Sequence, residues 1–233
     1  MNSTLRKGAA EFIGTFGLVF IGAGSICTDQ YLTARGDAGI GLMGIALAHG
    51  LVLAIMISSV GHVSGGHINP AVTVGALITR NISLKDGIAY ILSQLAGAIL
   101  GGLLLVSIFS RNVWEPVSLG TPNLAGGVSY GTGILLEGIL TFFLVFTVFA
   151  TAIDERGAFK MIAGFGIGLV LVFDILVGGP LTGASMNPAR TLGPALVGGY
   201  WKNHPVYWIG PLAGGMVASL AYHSLFLRNH SSK

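Results

Sequence analysis

The residues in this chain best suited to act on a solute are two Asn-Pro-Ala triplets, Asn69-Pro70-Ala71 and Asn187-Pro188-Ala189. Asn is a favoured helix N-cap, and Pro is at home in the first helical position, where its missing N–H costs nothing. Each triplet therefore starts a helix. Each start follows a small-residue turn, Ser64-Gly65-Gly66-His67-Ile68 in the first copy and Thr182-Gly183-Ala184-Ser185-Met186 in the second. The apolar runs that follow, Ala71 to Ile78 and Ala189 to Val197, are short. At 1.5 Å per residue each is roughly 15 Å long, half of a hydrocarbon core about 30 Å thick. A helix N-terminus carries roughly half a positive charge and unspent N–H groups. Two such ends facing one another, each with an Asn amide, offer donors to a neutral acceptor such as water and a positive barrier to a cation.

Other polar residues bear on the same chemistry. Arg190 follows the second triplet directly, on the first turn of its helix. An arginine at membrane depth is costly unless it is paired or lines an aqueous path, so it is a candidate to point donors into that path. Glu11, Glu137 and Asp174 are acids within apolar runs. An ion-coupled transporter needs such groups. The symmetric placement of Glu11 and Glu137 favours a structural role instead, accepting hydrogen bonds from the N–H groups of the irregular turns. Asp174 has no counterpart, and its role is left open. His49 lies in an apolar helix near the outer end of the path, whereas His62 and His67 sit at the turn; their spacing makes no metal site. No serine stands in a nucleophile-elbow motif, so there is no case for a hydrolase or any other enzyme. Cys27 is the single cysteine and reads as a small buried apolar residue. No catalytic residue, metal or cofactor is expected.

The elements that must hold these residues are membrane helices. Of 233 residues 52% are hydrophobic and only 9% charged, far below the ~25% charged residues of soluble chains. The net charge of +3 is scattered through loops, which argues against nucleic-acid binding. Apolar runs at about 8–28, 39–60, 87–109, 129–152, 159–179 and 206–227 predict six spans, the first a transmembrane helix and not a removable signal. Arg6, Lys7, Arg80, Lys85, Arg156, Lys160, Arg228 and Lys233 fall on one side, and Arg35, Arg111 and Lys202 on the other. The first side is cytoplasmic by the positive-inside rule, with both termini inside. Three spans per half inserts the second half upside down, an inverted repeat. The predicted fold is thus an all-α polytopic membrane protein, a single channel domain over 1–233, with six transmembrane helices, two re-entrant half-helices and repeats at about 1–115 and 128–233. The chain has 37 glycines, and the pairs Gly97/Gly101, Gly164/Gly168 and Gly210/Gly214 predict close helix crossings.

The doubled motif, Ser64 to Val72 and Gly183 to Arg190, resembles the paired signature of the aquaporins, the major intrinsic protein family. Glu11, Glu137, Ser93-Gln94-Leu95-Ala96-Gly97 and Tyr207-Trp208-Ile209-Gly210-Pro211 extend the likeness over nearly all of the chain. The resemblance implies a homotetramer of separately conducting bundles that exclude protons and ions, as aquaporin-type pores do with their half-helix dipoles. It also implies an outer selectivity filter at His49, Ile175, Ala184 and Arg190. Strict water channels place an aromatic residue and a His where this chain has His49 and Ile175, so the filter should be wider and less polar on one wall. The combination is similar to that of the plant tonoplast intrinsic proteins, as is Ile175-Leu176-Val177-Gly178-Gly179-Pro180. Thr191, Ala195 and Tyr207-Trp208 depart from the residues of glycerol channels at those places. Ala184 stands where some relatives carry a mercury-sensitive cysteine, so mercury block at the filter is not expected.

The function expected from the sequence is a passive channel for water, with ammonia and other small neutral solutes as further permeants. His49 and Arg190 are expected to donate hydrogen bonds at the filter. The alternatives are a glycerol or small-solute facilitator and an ion-coupled secondary transporter. Both tails are short and carry no evident organelle address, so the expected location is a prokaryotic plasma membrane, with the vacuolar membrane as the alternative.

Overall fold

The computed structural model describes residues 3–156 and 162–227. Lys160, Arg228, Lys233 and the start of the fifth predicted span lie outside the described residues. Helix α1 is Ser3–Thr33, α2 Gly41–Ser64, α3 Pro70–Ile78, α4 Leu84–Ile108, α5 Arg111–Trp114, α6 Tyr130–Val148, α7 Ala163–Thr182, α8 Pro188–Gly198 and α9 Val206–Tyr222. A 3-10 turn covers Ser118–Gly120, and π-type turns continue α6 over Phe149–Ile153 and α9 over His223–Leu227. The chain is therefore an integral, multi-pass membrane protein. Among the described residues, five helices, α6 with its π turn among them, are long and apolar enough to cross a bilayer by themselves. The sixth crossing is made by α9, 17 residues long, together with its π turn. Outward-facing residues such as Leu92, Leu135 and Val177, each more than 60% exposed, are what a hydrocarbon solvent requires.

Both short helices form where the triplets predict. Helix α3 has 9 residues and α8 has 11, each opened by its Asn and by Pro in the first turn. Helix α1 is longer than its predicted span, reaching Ser3 and Thr33. The short α5 and the 3-10 turn were not predicted, because four-residue and three-residue elements carry no periodicity to read.

Packing follows the inverted repeat. Helix α1 lies against α4 as α6 lies against α9; α4 holds α8 as α9 holds α3; and α2 crosses α7 at the centre. Close approach at these crossings requires glycine. A Cβ on Gly97 would run into the carbonyl of Phe12 in α1, and one on Gly214 into the carbonyl of Gly138 in α6. Gly50 and Gly168 meet in the same way, each against the other's carbonyl. The glycine pairs thus set the distance between backbones, and the remaining apolar side chains fill two clusters around the half-helices, one with Leu18, Ile57, Leu144 and Ile167, the other with Val19, Ala98 and Leu105.

Candidate functional site

The two turns that precede the half-helices have nearly the same backbone. Helix α2 ends at Gly65 with φ 92° and α7 at Gly183 with φ 82°. Ile68 and Met186 then adopt φ 55° and 53°, and Asn69 and Asn187 return to extended values of −155° and −149°. A left-handed β-branched residue such as Ile68 is strained, and it persists only where its surroundings hold it. The buried acids supply that hold. Glu11 Oε1 accepts from the N–H of His67 at 2.9 Å and from Ser64 Oγ at 2.6 Å; its Oε2 accepts from the N–H of Ile68 at 2.6 Å and from Gln94 at 2.8 Å. Glu137 repeats the pattern on Ser185 at 2.9 Å, Thr182 at 2.7 Å and Met186 at 2.8 Å. Tyr90 and Tyr207 close each turn by donating to the carbonyls of Ser64 at 2.6 Å and Thr182 at 2.7 Å. Tyr90 was not singled out from the sequence, although it precedes Gly97 by the same interval at which Tyr207 precedes Gly214.

At the centre the two Asn side chains are locked twice. Asn69 Oδ1 accepts from the N–H of Ala71 at 2.8 Å, and its Nδ2 donates to the carbonyl of Met186 at 2.8 Å. Asn187 Oδ1 accepts from Ala189 at 3.0 Å and Arg190 at 3.2 Å, and its Nδ2 donates to the carbonyl of Ile68 at 2.9 Å. The cap identifies Oδ1, so amide orientation is fixed by the helix and not by choice. Each amide has two N–H bonds, and the cross-link uses one. Pro70, Ala71, Pro188 and Ala189 are all buried behind these caps.

Asn69 and Asn187 border a narrow channel. One wall is apolar, made by Leu18, Leu53, Ile57, Val72, Leu144, Val148, Ile167 and Leu171; the other is the two turns, through Gly66, His67, Ala184 and Ser185. His49 and Arg190 stand at one end of it. The Arg190 guanidinium is buried, 3% exposed as a residue, and donates to the carbonyl of Gly120 at 2.7 Å. Its second amino group lies 3.1 Å from His49 Nε2, and its Nε has no protein partner. His49 Nδ1 lies 2.9 Å from the carbonyl of Ile45, an acceptor only, so the ring hydrogen sits on Nδ1 and Nε2 is the acceptor for Arg190.

This corrects the expectation that His49 and Arg190 both donate: the ring's single N–H is spent on its own helix. Ile175 differs from its three companions as well. It packs with Ala184 and Met186 in the apolar cluster without bordering the lumen, whereas His49, Ala184 and Arg190 border it. Gly120 was missed by sequence reading. Its carbonyl is presented by three successive left-handed residues, Ser118, Leu119 and Gly120, of which only the glycine signals such a turn. Thr191 is buried and bonds to the Ser185 hydroxyl, and Ala195 is buried at the α8 interior.

A polar recess that shares His67 with the channel is bordered by Lys7, Asn81, Asp86, Tyr90 and Ile153. Lys7 donates to Asp86 at 2.7 Å there. Beyond it, Arg156 binds Asp154 through two nitrogens, at 2.8 Å and 2.6 Å, and reaches the carbonyl of Phe226 at 2.6 Å. Tyr222 donates to the same carboxylate at 3.0 Å. Hydrogen bonds from the Arg156 side chain hold the Asp154 carboxyl well below the usual carboxylate range; burial opposes them, and the Arg156 N–H and Tyr222 add to them. Among the described residues, no cluster of His, Cys, Asp and Glu fits a metal ion.

The sequence matches the family described as major intrinsic protein over residues 1–222. It is 46% identical over 224 residues to aquaporin TIP4-4 of Zea mays, a match that covers 96% of this chain and 87% of that one. It is 47% identical over 232 residues to probable aquaporin TIP3-2 of Arabidopsis thaliana, covering 96% and 85%. The fold is similar to that of the aquaglyceroporin from Plasmodium falciparum, with a TM-score of 0.85, 23% identity and coverage of 96% of this chain and 97% of that one. Two inverted half-helices capped by crossed asparagines, together with these matches, make the chain a member of the major intrinsic protein family.

Proposed function

We propose that this protein is a passive transmembrane channel for water that also passes ammonia. The observation that carries the reading is the crossed pair of Asn69 and Asn187. Each amide is immobilised by its own helix and by the opposite turn, which leaves one N–H per residue for a passing acceptor. A water molecule that accepts both of these hydrogen bonds turns its own hydrogens away, towards its neighbours in file. The two helix N-termini and Arg190 place positive potential along the same path, which repels cations. Every Glu11 and Glu137 oxygen accepts a hydrogen bond, chiefly from the turns, which argues against their serving as the coupling acids that an ion-driven transporter needs.

In this reading His49, Ala184 and Arg190 form the outer filter, and Ile175 is its fourth position on the strength of the family resemblance. Small neutral solutes with one heavy atom pass with least loss of hydrogen bonding. The whole chain acts as one channel domain, with repeats at about 1–115 and 128–233, and assembles as a homotetramer. The basic residues Lys7, Arg80, Lys85 and Arg156 put the recess on the cytoplasmic side. The named relatives are plant TIP-type proteins, which give no support to a prokaryotic plasma membrane and favour the vacuolar membrane as the location.

Osmotic shrinkage of liposomes containing the folded protein tests the function. Water flux well above that of empty vesicles is the expected outcome, and flux equal to empty vesicles overturns it. An inward ammonia gradient should alkalinise the lumen faster than in empty vesicles, and glycerol should equilibrate more slowly than water. Glycerol flux as fast as that of water would move the assignment to a glycerol facilitator.

A further inference from the structure

Asp174 has no part in the channel just described. It lies within α7, only 1% exposed, and neither of its carboxyl oxygens has a hydrogen-bond partner. Unlike Glu11 and Glu137, it is not a feature of both halves. The mutual contact of Gly50 with Gly168 sets the register between α2 and α7, and in that register the counterpart of Asp174 is the apolar Met56. A carboxyl removed from water with both oxygens unsatisfied is among the costlier groups a bilayer protein can hold, ionised or not. It also lies in the field of the Glu137 carboxylate.

The buried threonine hydroxyls of α6 and α7 are committed elsewhere. Thr141 Oγ1 donates to the carbonyl of Glu137 at 2.6 Å, and Thr182 Oγ1 to the Glu137 carboxylate at 2.7 Å. The backbone N–H groups of α6 and α7 are engaged within their own helices. Asp174 shares one face of α7 with Ile167 and Leu171, which border the lumen, and with Gly178, where a Cβ would lie 3.2 Å from Ala184 and would collide with Leu140. A donor that reaches it therefore comes from the channel side.

We propose that Asp174 anchors a binding site in the channel wall, between α6 and α7, for one or two small neutral hydrogen-bond donors of the kind the channel passes, water or ammonia. The ligand donates an O–H or N–H to the carboxyl oxygens, as no protein group among the described residues does. This rests on the channel reading, because the lumen is the source of the ligand.

Hydroxyl-radical footprinting of the protein in liposomes tests the site, since X-ray radiolysis of an internal water labels the side chains that touch it. Leu140 and Val170 are buried and do not border the lumen, whereas Leu53 does and serves as the channel control. Label on Leu140 and Val170 is expected in the wild type and in Asp174→Asn, which keeps an acceptor, and is expected to be lost in Asp174→Leu. Absence of that label in the wild type, with Leu53 labelled, overturns the site. Absence of label on Leu53 together with no osmotic flux overturns the channel reading instead. If Asp174→Leu does not fold, the infrared carboxyl band isolated as wild type minus Asp174→Asn decides. A hydrogen-bonded band supports the site, and a band free of hydrogen bonding overturns it. A shift of that band on adding ammonia at alkaline pH assigns ammonia as the ligand; an unchanged band assigns water.

Discussion

In the proposed filter, one hydrogen atom decides which group can donate to a solute. His49 gives its Nδ1 hydrogen to Ile45 and receives Arg190 on Nε2, so the donors left there belong to the arginine, whose five N–H groups exceed the two hydrogen bonds it makes to Gly120 and His49. Replacing His49 with Phe removes the acceptor and sets a larger apolar ring beside the guanidinium. The expected result is an ammonia flux lower by about tenfold, equal to about 1.4 kcal/mol of barrier, read from the rate of lumenal alkalinisation in liposomes. Glu137 is a different kind of residue, with its oxygens spent on holding the outer turn. Glu137→Gln must turn an amide N–H towards the N–H of Ser185 or Met186. Each charge-assisted bond so lost is worth about 1.5–3 kcal/mol. Thermal unfolding at markedly lower temperature is expected, with no change in the ion dependence of flux. A shift in ion coupling with stability intact would count against the structural role.

The helices are placed by backbone-to-backbone contact and tied at their ends. Gly214 on α9 lies against the carbonyl of Gly138 on α6, so Gly214→Ala forces the two helices apart. Overpacking of this kind costs about 1–3 kcal/mol, and reduced yield of folded protein with an earlier melting transition is the expected readout. At the far end, Asp154 joins the segment after α6 to the end of α9 through Arg156 and Tyr222. Its carboxyl pKa is lower in the folded state than in the unfolded chain, where it is about 3.9. The stabilisation is therefore complete above about pH 4 and is lost as pH falls towards the folded value. Asp154→Asn should lower the melting temperature at pH 7 by a few degrees and remove part of the acid sensitivity below pH ~4, measured by paired melts at the two pH values. The Gly97, Gly168 and Gly214 crossings were legible because small residues four apart on one face have one main use in lipid. The Asp154 tie was not, since its partner Tyr222 is distant in sequence and π-type turns carry no sequence period.

Across the whole molecule, the apolar outer surface and the polar interior invert the arrangement of a soluble protein. The bundle buries Glu11, Gln94, Glu137, Asn69, Asn187 and Arg190 while leaving residues such as Leu135 and Val177 facing outwards. Such a surface is stable only in a bilayer or against other copies. The proposed homotetramer should appear as a four-chain species by native mass spectrometry in detergent. A monomer under conditions that retain water flux would sink the tetramer and leave the channel standing, because the residues that border the channel all come from one chain.

The sequence by itself determined the class of the molecule. Charge depletion, six apolar runs and two Asn-Pro-Ala starts with half-length helices behind them are local properties, and local physics, capping and the length of a span in lipid, reads them directly. The pairing of Glu11 with the first turn and Glu137 with the second followed from symmetry alone. Only the tertiary structure decided which atoms of those residues meet which partners. Asn69 meets Met186, Arg190 meets Gly120 and His49, and Ile175 sits in the wall while Ala184 borders the lumen. Those contacts join residues far apart in the chain, and a hydrogen bond's direction depends on where both partners end up, which no local pattern encodes.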